Sequence, residues 1–166
     1  MFIIIESFLP CVYSKSFKFT IGTPIEVIQN LVIGIGLLMN KAGKVLIDQR
    51  QNNQFMAGLW EFPGGKKEPG ESVEHAIIRE LYEELGINVK VQEKIIEFDY
   101  FYTDKKLHFV VHICKIVSGT PKPLSSVQVK WVFPSELENY SFPAANQKMI
   151  SALTKFLILR QDKDLT

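Results

Sequence analysis

The 166-residue sequence has few cysteines and no large excess of charge of either sign. Its two cysteines, Cys11 and Cys114, stand far apart and in no metal-ligand spacing. They give no disulfide framework, and such sparse use is typical of a reducing compartment, so we expect a cytoplasmic location. Cys114 is expected to be a buried residue of an apolar strand.

The net charge of +1 argues against a protein whose main function is to bind the nucleic-acid backbone, because such proteins normally show a clear excess of basic residues. A membrane-spanning run is also missing. The apolar start, MFIIIESFLPCVY, is broken by Glu6 and Pro10 and is far too short to cross a bilayer. We therefore expect neither direct nucleic-acid binding nor a signal peptide or membrane anchor.

The chain length and the 46% hydrophobic content are enough for one domain with a buried core. We place this domain at residues 31–160, after an N-terminal extension (1–30) and before a polar tail (161–166). The extension carries no motif, and a strand, a short helix or poor order are all open for it. Apolar runs predict strands at 31–39, 44–49, 59–62, 91–102, 107–116 and 127–133.

The turn residues in this pattern predict local connections. Asn40-Lys41-Ala42-Gly43 joins the first two strands and predicts a hairpin, and Pro63-Gly64-Gly65 predicts a turn that ends the third. Ser72 can cap a helix that ends at Gly86, and a second helix follows Asn146. Many strands flanked by two helices predict an α+β fold with a mixed β-sheet between helices.

The dominant feature of this nearly neutral chain is a cluster of acidic residues. Six glutamates lie between Glu68 and Glu84, and they repel one another unless a cation sits among them. Glu80, Glu83 and Glu84 are spaced i, i+3, i+4 and share one helix face. Mg²⁺ takes such oxygen ligands together with substrate phosphates. The residues alone also fit a solvated acidic face, and that alternative stays open here.

Two neighbouring groups fit the same chemistry. Pro63-Gly64-Gly65 can bring backbone close to a phosphate because glycine has no Cβ, and Lys66 can contact phosphate as a point charge. Arg79 can pair with one of the acids and hold it in place. Glu71 can add a carboxylate from the loop before the helix.

Residues 65–87 resemble the signature of the Nudix hydrolases, GX5EX7REUXEEXGU, at every fixed position. The resemblance implies an α/β/α sandwich that hydrolyses a nucleoside diphosphate linked to another group, using Mg²⁺, or Mn²⁺ in its place. It also implies roles for particular residues. The metal site would comprise Glu71, Glu80, Glu83, Glu84 and Gly64, and the catalytic residues would be Glu80, Glu83 and Arg79.

Two further segments, GLWEFPGGK (58–66) and FPAANQKMI (142–150), resemble the MutT branch, which removes 8-oxo-dGTP from the nucleotide pool. In that branch the asparagine at the position of Asn146 reads the oxidised purine. An amide is suited to this because it offers both a donor and an acceptor. The alternative is that Asn146 caps the last helix.

The same resemblance implies a wider set of substrate contacts. Arg50 would approach the phosphates, although a surface salt bridge is an equal alternative. Phe62 would stack on the base or belong to the core. The remaining contacts would come from Lys66, Glu61 and Gly65.

One departure from the family pattern lies before the last strand. MutT-like chains usually carry a further glutamate in this loop, at the position of Ser125, but no acid lies between Lys122 and Lys130. This puts the catalytic efficiency and the substrate class in question.

The resemblance predicts an enzyme that hydrolyses 8-oxo-dGTP to 8-oxo-dGMP and pyrophosphate. Two alternatives remain: a Nudix hydrolase of another nucleotide or nucleotide sugar, and a Nudix-fold binding module without catalysis. The intact glutamates argue against the binding module without catalysis. The expected partner is a small nucleotide, and the expected state is a monomer or small homo-oligomer.

Overall fold

The computed structural model describes residues 29–102 and 105–164. The predicted N-terminal extension covers residues 1–30, and residues 1–28 lie outside these ranges. The described chain forms seven strands, two α-helices and a short 3₁₀ helix at Pro134–Asn139. The strands are β1 (Gln29–Leu38), β2 (Val45–Gln49), β3 (Trp60–Glu61), β4 (Gly64–Lys66), β5 (Asn88–Phe101), β6 (Lys105–Ser118) and β7 (Gln128–Val132), and the helices are α1 (Val73–Leu85) and α2 (Asn146–Asp164).

The strands form two sheets. The larger has the order β4-β1-β6-β5, in which β1 and β6 are parallel and the other pairs antiparallel. The smaller, β3-β2-β7, is antiparallel throughout. The larger sheet is therefore the mixed sheet that the sequence predicts, and a second, smaller sheet stands beside it.

The helices cover opposite faces of the mixed sheet. The cluster under α1 contains Leu38 and Cys114 from the sheet with Ile77 and Leu81 from the helix. A second cluster joins Met149 and Leu153 of α2 to the other face of the sheet. This arrangement confirms the α+β fold with a mixed sheet between helices, and it confirms that Cys114 is a core residue.

The ends of α1 follow the predicted chemistry. The Ser72 hydroxyl accepts a hydrogen bond from the His75 N–H, and Gly86 ends the helix in a left-handed conformation with φ of 68°. Leu81 and Leu85 are fully buried against the sheet. Burying each of these side chains stabilises the contact by roughly 2 kcal/mol. The helix that carries the acids is thus fixed to the sheet by its apolar face.

The predicted hairpin of the first two strands is wrong. The turn at 40–43 forms, and the Asn40 side chain accepts from the backbone of Ala42 and Lys44. Only a single bridge, between Met39 and Val45, continues it. Both edges of β1 are already filled by β4 and β6, so β2 leaves to build the second sheet.

The predicted turn at Pro63-Gly64-Gly65 is also wrong in part, because Gly64–Lys66 form the strand β4. Gly64 pairs with Ile35 of β1 and has φ of 146°. A Cβ on Gly64 would overlap the Gly34 carbonyl, so only glycine allows this close pairing. The backbone beside the acids is therefore held in a sheet.

Two further expectations concern the chain ends and membranes. The helix α2 continues to Asp164, so the first four residues of the predicted polar tail are helical. No helix within residues 29–102 and 105–164 is long and apolar enough to cross a membrane.

Candidate active site

Arg79 contacts acidic residues both of α1 and of the loop before it. Its guanidinium lies 2.7 Å from Glu71 and 2.8 Å from Glu80, and a longer contact of 3.5 Å reaches Glu83. It also donates to the Lys66 carbonyl at 2.9 Å. Hydrogen bonds from Arg79 and from the Glu68 backbone hold the pKa of Glu71 below its usual range. Arg79 thus orients two carboxylates against the end of β4.

The glycines of β4 bring backbone directly onto the glutamates. The Gly64 N–H donates to the Glu84 carboxylate at 3.2 Å. At Gly65 an added Cβ would overlap the carboxyl group of Glu80. The glycine pair therefore leaves room for two carboxylates that a larger side chain would displace.

Asp48, near the end of β2, is a candidate site residue to which no motif of the sequence points. Its side chain is only 5% exposed, and no described residue hydrogen-bonds to its Oδ1. It pairs across the sheet with Glu61. A signal was available, because Asp48 is the one charged residue in a strand whose first four residues are all buried. The Nudix signature, which starts at Gly65, does not reach it.

The electrostatics of this group are unfavourable without a cation. Burial raises the pKa of Glu84 to about 8, helped by the charges of Asp48, Glu80 and Glu61. Burial likewise raises the pKa of Asp48 to about 7, with a further contribution from Glu61, while Arg50 acts in the opposite direction. The pKa of Glu61 is raised by burial as well. In the absence of a cation, burial and mutual repulsion therefore favour the protonated, neutral form of these carboxyl groups.

The donor set fits a hard divalent cation, although it is not gathered around one point. Among the described residues, no three His, Cys, Asp or Glu side chains already stand in a metal-binding arrangement. Glu80 is engaged by Arg79 and Glu84 by the Gly64 N–H. The side-chain donors are all carboxylate oxygens, and the buried Asp48 Oδ1 is left without a partner, which suits an ion of the Mg²⁺ class.

A cavity of about 270 Å³ is lined by Glu61 and by Gly64 and Gly65, the two glycines that adjoin Glu84 and Glu80. Its polar lining includes Arg50, Glu61, Gly64, Gly65 and Asn146, and its apolar wall includes Phe62 and Phe109. A larger cavity of about 830 Å³ lies between β5 and α2 but shares no residue with this group. We assign the smaller cavity to the site because polar groups converge on it and burial raises the pKa of Glu61 in its lining.

Asn146 and Phe62 line this cavity together. Asn146 is 7% exposed, and its side-chain amide has no hydrogen-bond partner among the described residues. The capping alternative therefore has no support, since a cap would accept from the backbone of α2. Phe62 is 1% exposed and stacks on Phe142, with the two ring centroids 5.6 Å apart. It belongs to the core and forms the cavity wall at once.

Of the two interpretations of Arg50, the structure shows the salt bridge, and the contact with phosphate stays a prediction. The Arg50 Nη1 donates to both carboxylate oxygens of Glu61, at 2.8 and 2.5 Å, and its Nε donates to the Phe55 carbonyl. The salt bridge exists, but it lines the cavity and is partly buried. Lys66 is exposed and is not part of the cavity lining, so the structure does not bring it into the pocket. Ser125 is exposed as well.

Comparison with known proteins decides the family. The family model of the NUDIX domain matches residues 34–152. The chain belongs to the Nudix family. The 8-oxo-dGTP diphosphatase of Haemophilus influenzae is 34% identical over 73% of this chain and 89% of that protein. The CTP pyrophosphohydrolase of Escherichia coli is 32% identical over 76% of this chain and 91% of that protein.

Structural comparison agrees with this assignment. A solved structure from work on MutT from Aliivibrio salmonicida and Vibrio cholerae has a TM-score of 0.62 and 35% identity, covering 73% of this chain and 92% of that chain. The chain is thus a MutT-like Nudix hydrolase, which confirms the family and the enzyme class predicted from residues 65–87. Nudix hydrolases act on small nucleotide substrates and generally use divalent metal ions.

The raised pKa values predict how the stability of the metal-free Nudix domain depends on pH. Asp48 and Glu84 ionise in the folded protein at about 7 and about 8, against ordinary values of 3.8 and 4.5. Between these limits the folded state binds more protons than the unfolded state, so rising pH lowers the free energy of unfolding. Glu61, Glu80 and Arg50 face the pair and set the size of the fall.

Urea unfolding in EDTA should show this fall from about pH 5.5 to 8, above the range in which ordinary carboxyl groups titrate. Asp48→Asn should make the fall shallower, because one of the two groups no longer titrates. A free energy of unfolding that rises through this window in the parent protein would contradict the burial of these acids.

Proposed function

We propose that this Nudix hydrolase is a divalent-cation-dependent pyrophosphohydrolase that converts 8-oxo-dGTP to 8-oxo-dGMP and pyrophosphate in the cytoplasm. The observation that carries the proposal is the unpartnered amide of Asn146 in the cavity beside the carboxylates. The similarity to an 8-oxo-dGTP diphosphatase at 34% identity supports it. Mg²⁺ is the proposed ion, and the wider role is to keep damaged guanine out of DNA.

Asn146 explains why an oxidised guanine would be preferred. Ordinary guanine presents two acceptors, O6 and N7, on the edge concerned. Oxidation at C8 places a hydrogen on N7, so this edge then offers one acceptor and one donor. A single amide can meet both, because its NH₂ donates and its oxygen accepts. Phe62 would support the plane of the base from the core side.

The phosphate end of the substrate would face Arg50, Gly64 and Gly65. Arg50 can exchange part of its bond to Glu61 for a phosphate oxygen, since its fork suits both anions. The glycines allow phosphate to approach the backbone. Glu61 then stands between the base pocket and the acids of α1.

Hydrolysis needs a water that attacks one phosphorus while the anhydride P–O bond breaks and pyrophosphate leaves. A divalent ion, when bound, offsets the phosphate charge and lowers the pKa of the attacking water. Glu80 and Glu84 would hold the ion, with Arg79 fixing Glu80 and Glu71. Glu83 is 57% exposed and has only a 3.5 Å contact to Arg79, so it is the carboxylate best placed to accept the proton of the water.

A second candidate substrate is a pyrimidine nucleotide. One relative, at 32% identity, is a CTP pyrophosphohydrolase. The amide of Asn146 could equally pair with a cytosine edge, which also combines a donor and an acceptor. The choice between the two rests on the base pocket, because the acids and glycines would serve either substrate.

Substrate selectivity tests the proposal directly. With Mg²⁺, kcat/KM should be higher for 8-oxo-dGTP than for dGTP, CTP, dCTP and ADP-ribose. Asn146→Ala should reduce the preference for 8-oxo-dGTP over dGTP roughly tenfold or more, because two hydrogen bonds are lost. Gln147→Ala, which removes the neighbouring exposed amide, is the control and should keep it.

Equal turnover of 8-oxo-dGTP and dGTP by the parent protein would contradict the proposed substrate. A preference for CTP would favour the second candidate. Full selectivity in Asn146→Ala would remove this residue from the base site.

The role of Glu83 can be tested against a matched acid on the same helix. Glu83→Gln should lower kcat by roughly 100-fold or more, because loss of a general base has effects of that size. Glu74→Gln, at the exposed start of α1, should leave kcat unchanged. Equal rates for Glu83→Gln and the parent protein would show that the proton goes elsewhere.

A further inference from the structure

We propose that Asp48 is an additional carboxylate of the divalent-cation site, where its buried oxygen binds the ion or one of the waters that the ion carries. The proposal rests on the metal dependence proposed above. It assigns to the site a residue on β2, outside the signature segment of the family.

The strand geometry places Asp48 toward α1. Leu46 of β2 is packed in the cluster that holds Leu81 and Leu85 of α1. Side chains alternate along a strand, so Asp48, two residues further on, lies on the same face as Leu46. Burial raises the pKa of Glu84 most, and the charge of Asp48 is the next cause, so the two carboxyl groups lie close enough to interact. Asp48 therefore faces the acidic part of the helix rather than the opposite core.

Asp48 lacks the partners that a structural buried acid has. Its Oδ1 is buried without a hydrogen bond, and the described chain offers it no ion pair. Leaving such an atom unpaired costs about 1–3 kcal/mol. The nearby cation, Arg50, is occupied by Glu61 and the Phe55 carbonyl. Among the described residues only its own backbone and the charge of Arg50 lower the pKa of Asp48, and burial outweighs both, so the fold gives this carboxylate little support.

A bound cation would supply that reason. Asp48 is the only acid of β2 and β7, the two long strands of the smaller sheet. The loop before β7 carries no acid between Lys122 and Lys130. Glu61 of β3 is already paired with Arg50, so Asp48 is the acid of the smaller sheet whose charge can complete an oxygen site beside Glu84. An ion placed among Asp48, Glu84 and Glu80 would satisfy the orphaned oxygen and relieve the repulsion.

Direct titration of the full chain with Mn²⁺, without nucleotide and at slightly alkaline pH, tests the assignment. The free ion can be followed by electron paramagnetic resonance. Asp48→Asn and Asp48→Ser should each weaken Mn²⁺ binding on the order of 10-fold or more, since carboxylates around a metal have effects of this size. Asp99→Asn, which removes an exposed acid paired with Lys106 and His108, should bind Mn²⁺ like the parent.

Thermal unfolding in EDTA separates this role from a structural one. Asp48→Asn should be at least as stable as the parent, because it removes a buried charge that Glu61 and Glu84 repel. Mn²⁺ binding by either variant as tight as the parent's would overturn the proposal, as would a loss of stability in both without the ion. Failure of the parent protein to bind Mn²⁺ would instead contradict the proposed metal dependence.

Discussion

The mutual repulsion of carboxylates at the buried edge of α1 is the constraint on which the site depends. Asp48 and Glu84 have pKa values raised to about 7 and about 8, chiefly by burial and then by neighbouring acids. Neither arginine of the site forms an ion pair with Asp48 or Glu84, although the charge of Arg50 partly offsets the rise in the pKa of Asp48. Arg79 neutralises Glu71 and Glu80, and Arg50 neutralises Glu61. Within the described residues, Asp48 and Glu84 are therefore left without a positively charged partner. A divalent ion with its phosphate ligand can supply the missing positive charge.

The apolar packing of the fold holds these acids together against their repulsion. The core face of α1, which includes Leu81 and Leu85, is buried on the sheet, so the helix cannot move away to separate its glutamates. Gly64 and Gly65 let β4 pair closely with β1 while it lies against the glutamates of the helix. Hydrophobic burial thus stabilises an arrangement that electrostatics alone would disperse, as is usual where function requires a strained site.

The sequence predicts what depends on local chemistry. The caps at Ser72 and Gly86 fix the length of α1, and the spacing of its glutamates fixes which acids share a face. The Nudix signature identifies the family because it specifies many positions of this segment at once. The mixed sheet between two helices follows from the order of strands and helices along the chain.

Features that depend on pairing between distant segments could not be predicted in this way. A turn at 40–43 is compatible with a hairpin, and only the filled edges of β1 exclude one. The glycines at 64 and 65 signal a turn, yet they form a strand because of the backbone that lies against them. The sequence does not point to Asp48 because its proposed role depends on Glu84, which lies on a helix that only the fold brings close to β2.

Proton release on cation binding tests most directly whether this crowding of acids forms a cation site. Mg²⁺ or Mn²⁺ should be titrated into the full chain at neutral pH in two buffers of different ionisation enthalpy. Since Asp48 and Glu84 retain protons near neutral pH in the metal-free protein, binding should release about one proton or more per ion. Binding heats that are the same in both buffers would show that no proton leaves, and they would contradict a cation site built on these buried carboxylates.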